Sequence, residues 1–291
     1  MANTTLKTKL GIFLTAISFS MIGYSSTILA SGAEETYPAN IDPSDKISLQ
    51  SGAKSYMNYC LACHSLKHMR YDKLVDGPGI PADIVEKNLM FTGDKITDHI
   101  TNNIEPNAAK DWFGIVPPDL TLVARVRGAD WLYTYLKSFY TDDKRPFGVN
   151  NSIFKDVGMP HVLAALQGEH VKSNSTKELE GKIAEADIGL AMARRDKNDA
   201  AVTQQTAILH EAQEALAGLK HDSKYFEIAV PGSISEEEYD VVVRDLVNFL
   251  DYAGEPGKLE RESLGIKVIL FLLAFFVLTY FLKKEYWRDV H

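Results

Sequence analysis

Two stretches of apolar residues bracket a chain whose middle is otherwise mixed. Residues 10–24 are largely apolar, stand behind Lys7 and Lys9, and run into small residues through Ala33. Positive charge, a short apolar core and then small residues predict an export signal over residues 1–33, cut after Ala30 or Ala33. An uncleaved N-terminal anchor is the alternative for the same run. Residues 264–282 carry no charge except Lys267. At about 1.5 Å per residue they reach about 28 Å, the depth of a bilayer's hydrocarbon, so one C-terminal transmembrane helix is predicted there. Lys283, Lys284 and Arg288 follow with Tyr286 and Trp287 among them. The positive-inside rule then puts the tail, residues 283–291, in the cytoplasm and everything before residue 264 on the far side.

Between these ends the apolar spacing is helical. Residues 48–59 read as a helix that carries Tyr56 and Tyr59, and Ser235-Glu236-Glu237-Glu238 reads as a capping box. The box opens a helix with Val242, Leu246, Phe249 and Leu250 on one face, closed by Gly254 and Pro256. Shorter helical pieces are expected at 81–90, 97–103 and 128–140, separated by loops such as 76–79 and 116–119. No run alternates with period two, so the expected class is all-α, with the first and last helices of the domain packed across each other.

Residues 162–224 hold no aromatic residue and no proline. Ser175 and Glu178 could form a second capping box, after which Leu179, Ile183, Ala186, Leu190 and Ala193 recur at heptad-like spacing. Val202, Leu209, Ala212, Leu216 and Leu219 repeat the pattern beyond a polar turn at 196–199. A helical hairpin over 172–222, inserted in a single domain of residues 34–263, is therefore expected. Leaning on the domain and reaching for a partner are its two readings.

Charge sharpens the picture. The 291 residues carry a net charge of −8; removing the +2 of residues 1–30 and the +2 of residues 263–291 leaves −12 on the exported part. So acidic a domain argues against nucleic-acid binding and suits a salt-sensitive encounter with a basic partner, although a solvated surface alone would also account for it.

The chain has two cysteines, and they stand in Cys60-Leu61-Ala62-Cys63-His64. That spacing places both thiols on one face of a turn, where each can add to a vinyl group of one haem, with His64 beneath the iron. A thioredoxin-like couple, half of a zinc site and chance spacing are the competing readings. One covalently held haem c is thus the expected cofactor. A sixth ligand must come from elsewhere. Met57 and Met69 are too near the motif, and Met192 sits in the hairpin, which leaves Met90, His99, Met159 and His161 open. Met159 lies between Gly158 and Pro160, a setting that suits a rigid loop.

Four pieces together resemble the cytochrome c1 family of proteobacteria. They are Cys60-Leu61-Ala62-Cys63-His64-Ser65-Leu66, Val116-Pro117-Pro118-Asp119-Leu120-Thr121, Gly158-Met159-Pro160, and Phe249-Leu250-Asp251-Tyr252-Ala253-Gly254-Glu255-Pro256 ahead of one anchor. The resemblance implies a class I c-type cytochrome-like domain, with Cys60 and Cys63 as haem attachments and His64 and Met159 as axial ligands. It also implies haem contacts from Pro118 and from Arg125 or Arg127, without choosing between the arginines. The function it implies is single-electron relay from the Rieske iron-sulfur protein to a cytochrome c acceptor. That relay belongs to the quinol–cytochrome c oxidoreductase, a dimeric complex with cytochrome b in the bacterial inner membrane. On this reading the haem domain is periplasmic, and the chain is an electron carrier with no catalytic residue of its own. Another anchored monohaem cytochrome donating to a terminal oxidase, or a periplasmic thiol-disulfide oxidoreductase, would be the alternatives. The long hairpin is not a feature the resemblance accounts for.

Overall fold

A computed structural model describes residues 36–221 and 224–288; the expected signal over 1–33 and the last three residues of the tail lie outside the described residues. The chain runs through α1 (Lys46–Tyr59), β1 (Leu66–Arg70), α2 (Asp72–Asp76), α3 (Ala82–Asn88), β2 (His99–Ile100), α4 (Pro106–Phe113), α5 (Val123–Arg127) and α6 (Ala129–Lys137). It continues through β3 (Phe139–Thr141), β4 (Val149–Asn151), α7 (Ala164–Gln167), β5 (Gly168–Lys172), and the long helices α8 (Asn174–Arg195) and α9 (Asp199–His221). β6 (Phe226–Pro231), α10 (Glu236–Gly254) and α11 (Lys258–Tyr286) complete it.

Helices dominate, as the spacing predicts, but three antiparallel two-stranded ladders stand among them: β1 with β2, β3 with β4, and β5 with β6. The expected helix at 97–103 is replaced by β2, where Ile100 faces Leu66 across the ladder. Strands of two to six residues are too short to display alternation.

The core forms where α1 crosses α10. Asp45, not Ser48, begins the first helix: its carboxylate accepts from the amides of Ile47 and Ser48 at 2.9 and 3.1 Å, satisfying two first-turn donors. The capping box at Ser235 and Glu238 is present, with amide-to-side-chain distances of 2.9 and 3.2 Å. Leu246, Phe249 and Leu250 are buried as expected, whereas Tyr239 and Val243 extend that face and Val242 is only half-buried. The two backbones touch at Gly52, where a Cβ would lie 2.0 Å from the carbonyl oxygen of Asp245. Beside that contact Ser48 donates to Asp245 at 2.7 Å, and Asn248 donates to Ser48 Oγ at 2.9 Å and to the Asp42 carbonyl at 2.7 Å.

Helices α8 and α9 fold back on each other. Ala186, Leu190, Ala193 and Ala212 are buried between them, and the other expected seam positions are half-buried. The expected cap at Ser175 is absent; Ser173 caps α8, its Oγ accepting from the Thr176 amide at 3.2 Å. Thr176 is fully buried and donates to the Tyr225 carbonyl at 2.9 Å, so a side chain needed at the base of the pair displaced the Ser175–Glu178 alternative. Lys172 reaches both carboxylate oxygens of Glu180 at 2.7 and 2.8 Å, and the Tyr225 hydroxyl donates to the same carboxylate at 2.9 Å. The final helix, α11, begins six residues before the expected residue 264 and holds its apolar side chains exposed along the run. It is the one described helix long and apolar enough to cross a membrane.

Candidate functional site

Helix α1 leads straight into the cysteine motif. The Cys60 amide donates to the Tyr56 carbonyl at 2.9 Å and the His64 amide to the Cys60 carbonyl at 2.8 Å, so the pentapeptide continues as a turn. Tyr56, fully buried and 5.8 Å from the Phe249 ring, donates its hydroxyl to the His64 carbonyl at 2.5 Å. The Asn102 side chain donates to the Cys63 carbonyl, and its amide donates to Ser65 Oγ at 2.9 Å. The turn is thereby fixed from α1 on one side and from the β2 region on the other.

Both thiols are free, with Cys60 buried and Cys63 half-buried. Burial, with Cys63 alongside, pushes the Cys60 thiol up to about 12, and burial raises that of Cys63 too. Thiol–disulfide couples depend on a thiolate favoured at neutral pH, and this environment does the opposite. Among the described residues no three His, Cys, Asp or Glu side chains gather as a metal ligand group, so a zinc reading lacks its remaining ligands.

His64 is held in one orientation. Its Nδ1 lies 2.7 Å from the Pro118 carbonyl oxygen, and burial lowers its pKa against the opposing pull of that carbonyl. A neutral imidazole that donates from Nδ1 keeps its Nε2 lone pair for a metal. Pro118 therefore enters the site through its carbonyl. Asp119 locks the loop: one carboxylate oxygen accepts from the Lys67 amide at 2.8 Å, the other from the Thr121 amide at 3.0 Å and hydroxyl at 2.6 Å. The Leu120 amide adds a bond to the Ser65 carbonyl at 2.9 Å.

The four candidates for the sixth ligand sit in different settings. Met90 packs half-buried against the hydrophobic core, and His99 is exposed in β2. The His161 ring stacks on Phe139, centroids 4.7 Å apart, and burial lowers its pKa to about 4. The Met159 sulfur faces the Tyr135 hydroxyl at 3.5 Å. A Cβ on Gly158 would lie 3.5 Å from the Phe113 carbonyl oxygen and 3.7 Å from Ile115, so the Met159 loop rests on the end of α4. Residues 113–118 thus touch the methionine loop at one end and His64 at the other, a span of at most about 18 Å of chain. Trp112, Ile115 and Val116 expose 64, 60 and 44% of their surface along that strip. Paired thiols, an oriented imidazole, a thioether and a band of apolar side chains fit a haem.

The two arginines separate. Arg125 lies along Gly254 and 4.0 Å from Glu255, while the Arg127 guanidinium covers the Trp131 ring at 4.9 Å. Asn102, Asp119 and Tyr135 were not expected in the site. Asp119 had a local signal, the Asp-x-Thr turn, but Asn102 and Tyr135 act only through residues distant in sequence.

Comparison with known proteins identifies the family. The cytochrome C1 family model matches residues 39–169 and 234–290 and leaves out 170–233. Cytochrome c1 of Allochromatium vinosum is 44% identical over 94% of this chain and 97% of its own length. A protein of Nitrosomonas europaea named ammonia monooxygenase gamma subunit is 41% identical, covering 87% of this chain and 88% of its own. Cytochrome b/c1 of Bradyrhizobium diazoefficiens is 24% identical over 85% of this chain and 34% of its own.

Proposed function

Because this chain belongs to the cytochrome c1 family, we propose that it relays single electrons from a Rieske iron-sulfur protein to a cytochrome c acceptor. The family carries one covalently bound haem c and forms the haem subunit of the electron-transporting cytochrome bc1 complex, together with cytochrome b. Bound haem supplies the one-electron couple, and the polypeptide supplies attachment, orientation and burial. Cys60 and Cys63 would hold the group through thioethers, and His64 and Met159 would ligate its iron. The observation that carries this reading is His64 Nδ1 on the Pro118 carbonyl at 2.7 Å, directly after the paired cysteines Cys60 and Cys63.

With His64 and Met159 as its ligands the iron would have no place left for a reacting substrate, which suits a carrier. Residues 34–263 form the periplasmic domain, α11 anchors it in the bacterial inner membrane with its tail in the cytoplasm, and the complex is dimeric. The pair α8–α9 is an insertion in the domain, consistent with the family match that skips it. Arg125 or Arg127 would meet a haem propionate.

Replacing Met159 by Leu tests the ligand set, because it keeps volume within about 1.5 kcal/mol of neutral packing while removing the sulfur. Haem stays attached, the ferric charge-transfer absorption of a thioether-bound iron disappears, and the potential falls. His161→Asn keeps that absorption. Retention of it in the Met159 variant with loss in the His161 variant would reject the assignment. Purification of the native membrane complex without cytochrome b would reject the relay.

A further inference from the structure

The structure assigns Tyr135 to the same site: we infer that its hydroxyl, donated to Met159 Sδ, orients the thioether and raises the reduction potential of the haem. This rests on Met159 being an axial ligand.

The choice of acceptor is the first argument. A buried phenol gains most from a backbone carbonyl, and Tyr56, Tyr239 and Tyr252 reach carbonyls of His64, Leu136 and Lys73 at 2.5, 2.9 and 2.7 Å. Tyr135 instead points at sulfur, a weak acceptor, at 3.5 Å. The ring has no freedom to do otherwise. Trp131, one turn earlier on α6, stacks on it at 5.1 Å with planes 12° apart, and Phe139 and Phe154 meet it edge-on at 5.3 and 6.2 Å. The Asn151 side chain donates to the Tyr135 carbonyl at 2.7 Å and accepts from the amides of Ile153 and Phe154 at 3.1 Å, which ties α6 to the loop before Met159. A methionine serving only to fill a core needs no such donor.

The consequence follows from charge. A phenol hydroxyl is a neutral donor at physiological pH. Its positive end, aimed at the sulfur, draws electron density from the thioether and disfavours the more positive, ferric state. The donor also fixes the sulfur lone pair that remains for the metal.

The test uses the full-chain holoprotein in detergent, titrated with redox mediators while haem absorbance is followed. Tyr135→Phe keeps the ring and loses the hydroxyl. Near the midpoint its ratio of ferric to ferrous haem at a fixed ambient potential rises about three- to tenfold, and the ferric charge-transfer absorption shifts but persists. Fluorotyrosine introduced at position 135, a stronger donor of the same shape, moves the ratio the opposite way. Tyr239→Phe, which loses a buried hydrogen bond without touching the sulfur, leaves the ratio where it was. An unchanged ratio in both position-135 proteins, with the absorption intact, overturns the inference and spares the ligand assignment. Persistence of the absorption in Met159→Leu overturns the assignment, and the inference with it.

Discussion

Two helix crossings in this protein are built on opposite principles. Where α1 meets α10, backbone rests on backbone at Gly52, and a network of Ser48, Asp245 and Asn248 fixes the register. Where α8 meets α9, a seam of alanine and leucine does the packing, and a Cβ on Gly189 would lie 2.8 Å from the movable end of Gln205. The first crossing delivers Tyr56 and the cysteine motif to the site, and any shift there is felt at His64 through the Tyr56 hydroxyl. Among the described residues the second forms no hydrogen bond with the motif. Tight crossings tolerate no added atom because protein interiors are close-packed, whereas a seam of short side chains can slide by fractions of an ångström.

Replacing Gly52 by Ala gives the largest effect. A Cβ 2.0 Å from a carbonyl oxygen forces the helices apart, with an expected loss of about 3 kcal/mol. Thermal unfolding followed by haem absorbance checks it, and a melt like that of the parent would mean the backbones do not touch. On the other crossing, Gly181→Ala and Gly218→Ala add a methyl to open space. Each should stabilise its helix by about 0.5 to 1 kcal/mol, read as amide exchange slowed about two- to fivefold within α8 and α9. Faster exchange would show that the added methyl does not enter open space. Gly189→Ala, which must displace Gln205, should fall between the two and change stability by less than about 0.5 kcal/mol. The smallest effect is expected from the boldest change. Deleting residues 176–219 and joining the ends with a short Gly/Ser linker should leave the reduced haem spectrum as it is. Loss of that spectrum would place the hairpin inside the core and erase the contrast between the two crossings.

Features carried by adjacent residues were legible without a structure. The apolar run of α11, the Ser235–Glu238 capping box, the heptad-like seam of α8 and α9 and the Cys60–His64 spacing are such features, because each is complete within one or a few helical turns. Tertiary structure decided the rest. Pro118 orients His64 across 54 residues, and Tyr135 reaches Met159 across 24, with no periodic signal in either interval. The expected helix at 97–103 became β2 because a ladder with β1 was available, and Ser173 replaced Ser175 as a cap because Thr176 was needed against Tyr225. Arg125 and Arg127, two residues apart, were indistinguishable in sequence; in the fold the first lies by Glu255 and the second over Trp131. Periodicity and local capping are properties of neighbours in the chain, so a sequence states them outright. Hydrogen bonds and ring contacts between distant residues depend on which surfaces the fold brings together, and only the folded chain shows that.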